Sequence, residues 1–167
     1  MSPQLQLALD QIVFARGYTV KLLDATPITD WFRMPAGGVS HIGWQVGHLA
    51  MGQYRLLLER VRGRVPSDQN LISELFLMQF GRDSVAEPDP AKNPSAEELR
   101  HVFDMVHQQA LHELPQLRDE DLQQPPLQPH PLFNVKMGGL WWCGQHEMLH
   151  AGQIGLLRRQ LGQSPLW

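Results

Sequence analysis

Four long segments of the chain place apolar residues three and four positions apart, which is the spacing of an amphipathic helix. No segment alternates apolar and polar residues with the period of two that is typical of a half-buried strand. The periodicity predicts long helices over residues 3–25, 41–62, 95–114 and 138–161, and a shorter extra helix over 67–80. The predicted fold class is therefore all-α, a four-helix bundle.

Residue types at the predicted helix ends agree with these boundaries. Ser40 is positioned to cap the second helix. Ser95 and Glu98 form a capping box at the start of the third helix. The connections between the helices are long and rich in proline, above all residues 81–94 and 124–131, which predicts irregular or extended chain there.

The composition is that of an ordinary folded protein. The chain has 167 residues, of which 43% are hydrophobic and 19% are charged, and this fits one domain over residues 1–167. The formal charge of −3 argues against a nucleic-acid partner. A single cysteine excludes an intrachain disulfide, and no secretory leader or membrane-spanning stretch is evident. We expect a soluble cytoplasmic protein without a membrane partner.

Two histidines one helical turn apart stand out in the fourth predicted helix. His146 and His150 are the first and last residues of the stretch HEMLH. Side chains four residues apart on a helix differ by about 40° in direction, so both rings can reach one metal ion. The stretch also matches the H-E-x-x-H motif of zinc proteases, in which the glutamate is a general base. No histidine, aspartate, glutamate or cysteine follows His150, so the downstream ligand of those proteases is missing, which argues against that class.

A third ligand has to come from an earlier part of the chain, and His48 is the best candidate. It lies in the second predicted helix among Gly43, Gly47 and Gly52. Each glycine costs a helix about 1 kcal/mol relative to alanine, which indicates that another helix or a bound group comes close there. Three histidines would leave one coordination position open, as in catalytic zinc sites. A solvated histidine pair or a hydrogen-bonded core histidine is the alternative that spacing alone leaves open.

Several neighbouring residues are candidates for a pocket wall or for orienting the ligands. They are His41, Trp44, Met51, Trp142 and Gln153. Glu147 is a candidate general base, although its direction on the helix also allows it to pair with an arginine. Cys143 lies one turn before His146 and is either a fourth ligand or a small buried packing residue.

Two segments resemble the signature segments of the DinB-like superfamily, which includes the YfiT-type proteins. They are residues 41–50, HIGWQVGHLA, and residues 145–162, QHEMLHAGQIGLLRRQLG. Residues 95–104 are similar to that family as well, so the resemblance covers nearly the whole chain. The second segment is the most specific part, because it is far longer than a bare histidine pair.

This resemblance implies a four-helix bundle that holds one divalent metal, commonly zinc or nickel, through His48, His146 and His150. It also implies a homodimer. Characterised relatives include thiol-dependent transferases and isomerases that use cofactors such as bacillithiol or mycothiol, while many members have no known reaction.

The expected function is that of a metal-dependent transferase or hydrolase acting on a small molecule, with a low-molecular-weight thiol as a second cofactor in the transferase case. A metal ion with an open position lowers the pKa of a bound water or thiol, so the residues are compatible with both reactions. The alternative is a non-catalytic helical dimer in which the metal is structural.

Overall fold

The computed structural model describes residues 1–166, and over this range it contains helices and no strands. In chain order the α-helices are α1 (Pro3–Asp24), α2 (Ile42–Tyr54), α3 (Arg60–Arg62), α4 (Asp68–Leu71), α5 (Glu74–Gln79), α6 (Ala96–Glu113), α7 (Asp119–Leu122) and α8 (Lys136–Gln160). The prediction of an all-α fold is confirmed. Within residues 1–166, no helix combines the length and the apolar character needed to cross a membrane.

A π-helical turn, Arg55–Glu59, joins α2 to α3 without a break. The second long helix was therefore predicted at its full length, but its interior is not α-helical throughout. A π turn takes in about one extra residue and rotates everything that follows it relative to an uninterrupted helix. This rotation decides which face of the second helix the residues after Glu59 occupy.

The long helices pack around a continuous apolar core. Helix α8 lies along α1 and also contacts α2, while α6 packs against α2. This arrangement supports our interpretation of the fold as a four-helix bundle. The core includes Leu5, Leu9, Ile12, Val46, Leu49, Leu57, Leu99, Phe103, Val106, Leu140 and Ile154.

A buried polar network connects the same four helical segments. The guanidinium of Arg16 in α1 donates to both carboxylate oxygens of Glu147 in α8, at 2.8 and 3.3 Å. It also donates to the Gln53 side chain of α2 and to the Phe103 backbone oxygen of α6. Because a buried charge is tolerated only when it is paired, these contacts fix the register of α8 against its neighbours.

Local boundaries differ from the predictions at three places. The cap of α2 is His41, whose Nδ1 accepts from the Trp44 N–H at 3.0 Å, and the side chain of Ser40 bonds elsewhere. The predicted helix over 67–80 is divided into α4 and α5, because Ser73 starts a new helix by capping it. The short helix α7 lies in a part of the chain for which no helix was predicted.

Candidate metal centre

Three histidines from two helices converge at one point. His48 lies in α2, and His146 and His150 lie one turn apart in α8. One ligand nitrogen from each ring lies within 4.8 Å of the others. The Nε2 atoms of His146 and His150 are 3.1 Å apart. A cation bonded to both at about 2.0–2.1 Å would hold them at an angle of about 100°, so the cluster fits a metal ion such as zinc.

Hydrogen bonds orient two of the three rings toward that point. Nδ1 of His48 is 2.9 Å from the backbone oxygen of Phe80. Nδ1 of His150 is 2.6 Å from the side-chain oxygen of Gln45. Both partners are oxygens that only accept, so each Nδ1 carries the proton and each Nε2 keeps its lone pair for a metal. The arrangement is the usual one for histidine ligands, which donate their second nitrogen to an outer acceptor.

Gln45 is a site residue that the sequence analysis missed. Its amide nitrogen donates to Ser40 Oγ at 2.8 Å and to Gln153 Oε1 at 3.0 Å, which directs its own oxygen toward His150. Gln153, predicted to line the pocket or to orient a ligand, accepts the second of these hydrogen bonds. The available signal was the position of Gln45, one turn before His48 on α2, although a glutamine there is unremarkable without knowledge of the packing.

The glycines of α2 allow the close approach that the sequence predicted. A methyl group added at Gly52 would lie 3.0 Å from Cε1 of His146, and one added at Gly47 would lie 2.5 Å from the ring of Phe80. Gly52 therefore leaves the space that the His146 ring occupies. Gly47 lets Phe80 approach α2, and the backbone oxygen of Phe80 is the acceptor for His48.

The environment keeps the three imidazoles neutral. Burial and, to a smaller extent, neighbouring histidines lower the pKa of His146 to about 4 and that of His150 to about 3. Burial also lowers the pKa of His48, against the opposing effect of its hydrogen bond to Phe80. Only neutral imidazole binds a metal, so the site is ready for a cation at neutral pH without first losing protons.

A comparison with protein-family models assigns the chain to a family. The family model described as the DinB superfamily matches residues 11–154, which include all three histidines. The chain belongs to the DinB superfamily. No curated protein matches it.

Two tryptophans flank the histidines of this DinB-superfamily protein. Trp44 stacks on His48 with ring centroids 4.8 Å apart and an angle of 16°, and its Nε1 donates to Ser84 Oγ at 3.0 Å. Trp142 lies 6.0 Å from His146, centroid to centroid. Both indoles are half-buried and therefore form accessible apolar surface beside the cluster. Met51, another of the residues predicted to line the pocket, is buried in the core.

Two predicted residues adjacent to the ligands are engaged in the core instead. Both carboxylate oxygens of Glu147 accept from Arg16, so the pairing with an arginine is what the structure contains. Its role as a general base stays a prediction without support from these contacts. Cys143 is buried and receives a weak hydrogen bond from Gln53, and it is not part of the histidine cluster within residues 1–166. Burial raises the pKa of its thiol.

His41 occupies a position beside the site rather than in it. It is buried, caps α2, and its Nε2 lies 2.9 Å from the backbone oxygen of Glu87. Its ring packs edge-on against Phe32. Burial lowers its pKa, which favours the neutral form that a cap requires, since the Nδ1 lone pair accepts the Trp44 N–H. We interpret His41 as fixing the start of α2 and the chain around Glu87.

Proposed function

We propose that this protein is a divalent-metal-dependent enzyme that acts on a small molecule. The observation that supports the proposal is the convergence of three neutral imidazoles, His48, His146 and His150, on one point. All three side chains are half-buried rather than sealed in the core. Within residues 1–166, no fourth histidine, cysteine or carboxylate joins the cluster. Three protein ligands and an open position are typical of catalytic zinc sites.

Imidazole donors suit zinc and nickel, the two metals that we propose. When bound, such a cation would act as a Lewis acid that lowers the pKa of a water molecule or thiol. His48 and His150 would present Nε2 to it, held in that tautomer by Phe80 and Gln45. The indoles of Trp44 and Trp142 would hold an apolar part of the substrate and exclude water from one side.

Thiol transfer and hydrolysis are the two reactions that fit this site. The buried thiol of Cys143 bonds to Gln53 and lies outside the cluster, so a transferase reaction would take its thiol from solution, as a low-molecular-weight cofactor. Hydrolysis would need only water. Both reactions require the same three histidines, so one set of variants tests them together.

The activity test uses protein loaded with one equivalent of Zn²⁺ or Ni²⁺. Thiol transfer is measured with glutathione and 1-chloro-2,4-dinitrobenzene, and hydrolysis with 4-nitrophenyl acetate. We expect turnover by the wild type and by the His112→Ala variant, whose exposed histidine on α6 serves as the matched control. The His146→Ala variant should be inactive. Equal rates for all three proteins would contradict metal-assisted chemistry.

A structural metal is the second candidate function. It is favoured by the fact that the cluster connects α2 to α8, whose ligands are about a hundred residues apart in sequence, so a bound cation would crosslink two long helices. Removal of the metal distinguishes the two roles. A structural metal gives a large fall in melting temperature on chelation, whereas a catalytic metal gives loss of activity with little change in melting temperature.

We also propose a homodimer formed through the outer face of α1 and α8. Phe14 is 67% exposed and Leu149 is 58% exposed, and both line a groove of about 820 Å³ between these helices. Leu7 lies two turns before Phe14 on the same face of α1, and Leu156 lies two turns after Leu149 on α8. Large exposed apolar side chains arranged in this way are typical of protein–protein contacts.

A further inference from the structure

Arg60 contains an unsatisfied buried donor. Its Nε is the one buried side-chain nitrogen or oxygen without a hydrogen-bond partner among residues 1–166. No carboxylate in that part of the chain lies within ion-pair distance of its guanidinium. Glu59, the nearest acid in sequence, binds Arg64 at 2.7 Å and lies 3.8 Å from Arg55. Arg60 as a residue is half-buried, and a guanidinium with an unsatisfied donor and no carboxylate partner has capacity for an anion from outside the chain.

The π turn brings Arg60 to the face of the second helix that carries His48. Arg60 follows His48 by twelve residues, and in an uninterrupted α-helix its side chain would point about 120° away from that of His48. The extra residue of the turn Arg55–Glu59 reduces this difference to about 20°. Arg55, seven residues after His48, also lies about 20° from it and about 10 Å along the helix axis. Nη1 of Arg60 donates to the Arg55 backbone oxygen, so its side chain extends back toward the histidines.

One further cationic group, Arg82, lies around the same end of the site. Arg82 is exposed and lies between Phe80, which accepts from His48, and Ser84, which accepts from Trp44. Within residues 1–166, no ion pair involves Arg82.

His130 comes from the proline-rich connection before α8. The backbone oxygen of Arg60 accepts from the Leu127 N–H at 2.9 Å, which holds this connection beside Arg60. The ring of His130 stacks on Phe133 with centroids 4.2 Å apart, and Phe133 packs against Gly138 and Gly139 at the start of α8. This connection therefore lies beside both Arg60 and the first residues of α8.

The electrostatics agree with this placement. Burial lowers the pKa of His130, and the charges of Arg60 and Arg82 lower it further. The guanidinium groups of Arg60 and Arg82 therefore both lie near the His130 ring, and no carboxylate contributes to this shift.

We propose that Arg55, Arg60, Arg82 and His130 form an oxyanion subsite beside the metal centre, which binds the carboxylate or phosphate group of the substrate. This inference rests on the proposed function, because it assigns the substrate of the same site to the class of small organic acids or phosphate esters. Arginine is suited to the task because its planar donors match both groups bidentately. The anion would bind about two helical turns from His48, and the reacting part of the substrate would extend toward the histidines.

The test measures anion binding by calorimetry with the full chain, both zinc-loaded and metal-free after removal of the chelator. The probes are succinate and inorganic phosphate, which separate the two oxyanion classes, and succinamide is the neutral isostere of succinate. The variants are Arg60→Gln and, because Arg82 is exposed and its replacement does not challenge folding, Arg82→Gln. Arg159→Gln, at an exposed arginine of the last turn of α8, is the control with the same charge change.

We expect saturable binding of succinate or phosphate to metal-free wild-type protein and no binding of succinamide. Arg60→Gln should weaken that binding about tenfold or more, since hydrogen bonds between charged groups are lost, and Arg82→Gln should weaken it as well. Arg159→Gln should bind as the wild type does. Unchanged affinity in Arg60→Gln and Arg82→Gln, or no saturable binding of either anion, would overturn the subsite. Because the metal-free arm does not depend on the histidines, this result leaves the metal-site proposal unaffected.

Discussion

The side-chain oxygen of Gln45 lies 2.6 Å from Nδ1 of His150, a contact between residues 105 positions apart in the chain. This contact fixes the tautomer of His150 and therefore the nitrogen that faces the other two histidines. The amide of Gln45 is itself held by Ser40 and Gln153. A residue outside the ligand set thus positions one of the ligands.

The Gln45→Ala variant should bind zinc about 10–100-fold more weakly than the wild type, because the outer acceptor of a histidine ligand is lost. Gln45→Glu, which keeps an acceptor at the same place, should recover most of the affinity. The measurement is a competition titration with a chromophoric chelator. Gln4→Ala, at an exposed glutamine of α1, is the control and should have no effect. Equal affinity for wild type and Gln45→Ala would contradict the positioning role.

The Gly52→Ala variant should lose metal affinity by about tenfold or more, because its methyl group would lie 3.0 Å from Cε1 of His146 and displace that ring. The matched control is Gly155→Ala in α8, where an added methyl group has no neighbour within 4 Å. Zinc titration followed by urea unfolding of the metal-free proteins separates affinity from stability. A Gly52→Ala variant with wild-type affinity would show that His146 does not need this space.

The convergence of His48, His146 and His150 could be predicted partly from local rules and partly from the family resemblance. Spacing of four residues places His146 and His150 on one helix face. The glycines around His48 indicated a close approach, and Gly52 indeed faces His146. Gln45 could not be predicted, because the partner of an amide depends on how two distant helices pack.

Other features escaped prediction for equally specific reasons. Both Ser40 and His41 can cap a helix, and the chain uses His41 because its second nitrogen also meets the backbone oxygen of Glu87. The π turn leaves no mark in the apolar periodicity, because Leu56, Leu57 and Leu58 would be buried in either kind of helix. The sequence allowed Glu147 to pair with an arginine, but only the packing of α1 on α8 identifies that arginine as Arg16.

The free energy of unfolding of the Glu147→Gln variant should be about 3–5 kcal/mol lower than that of the wild type, because the substitution leaves the buried charge of Arg16 uncompensated. Urea denaturation measures this loss. Glu120→Gln, at an exposed glutamate, should change stability by less than about 0.5 kcal/mol. Native Glu147→Gln protein should still bind one metal ion per chain. Full stability of this variant would contradict the structural role of the carboxylate.

Acid should destabilise the metal-free protein through its buried histidines. In the folded state burial lowers the pKa of His107 and His150 to about 3 and that of His146 to about 4, against about 6.5 in an unfolded chain. Below pH 6.5 the unfolded state takes up protons that the folded state does not, so the free energy of unfolding falls as the pH falls toward 4.

The His107→Gln variant isolates one of these contributions. Gln53 donates toward Nδ1 of His107, and a glutamine oxygen can accept the same bond. Urea unfolding between pH 6.5 and 4 measures how the free energy of unfolding changes with pH. The variant should take up about one proton fewer on unfolding than the wild type, so this free energy should fall less steeply with falling pH. An identical slope in the two proteins would mean that His107 is protonated in the folded state.

Replacement of Phe14 or Leu149 by glutamate should convert a homodimer into monomers, because each change places a charge in the proposed apolar contact between copies. Sedimentation velocity at micromolar concentration measures the state of assembly. Leu75→Glu changes an equally exposed leucine on α5, away from that face, and should leave the dimer intact. A wild-type protein that sediments as a monomer would contradict the proposed dimer.

The central claim is that His48, His146 and His150 hold one cation and leave a position open. X-ray absorption at the zinc edge of the zinc-loaded protein tests it most directly. We predict three imidazole nitrogens and one oxygen donor at about 2.0–2.1 Å, with one imidazole lost in each single His→Ala variant. A sulfur scatterer at about 2.3 Å would place Cys143 on the metal, and a spectrum unchanged by the His48→Ala substitution would remove α2 from the site; either result would contradict the claim.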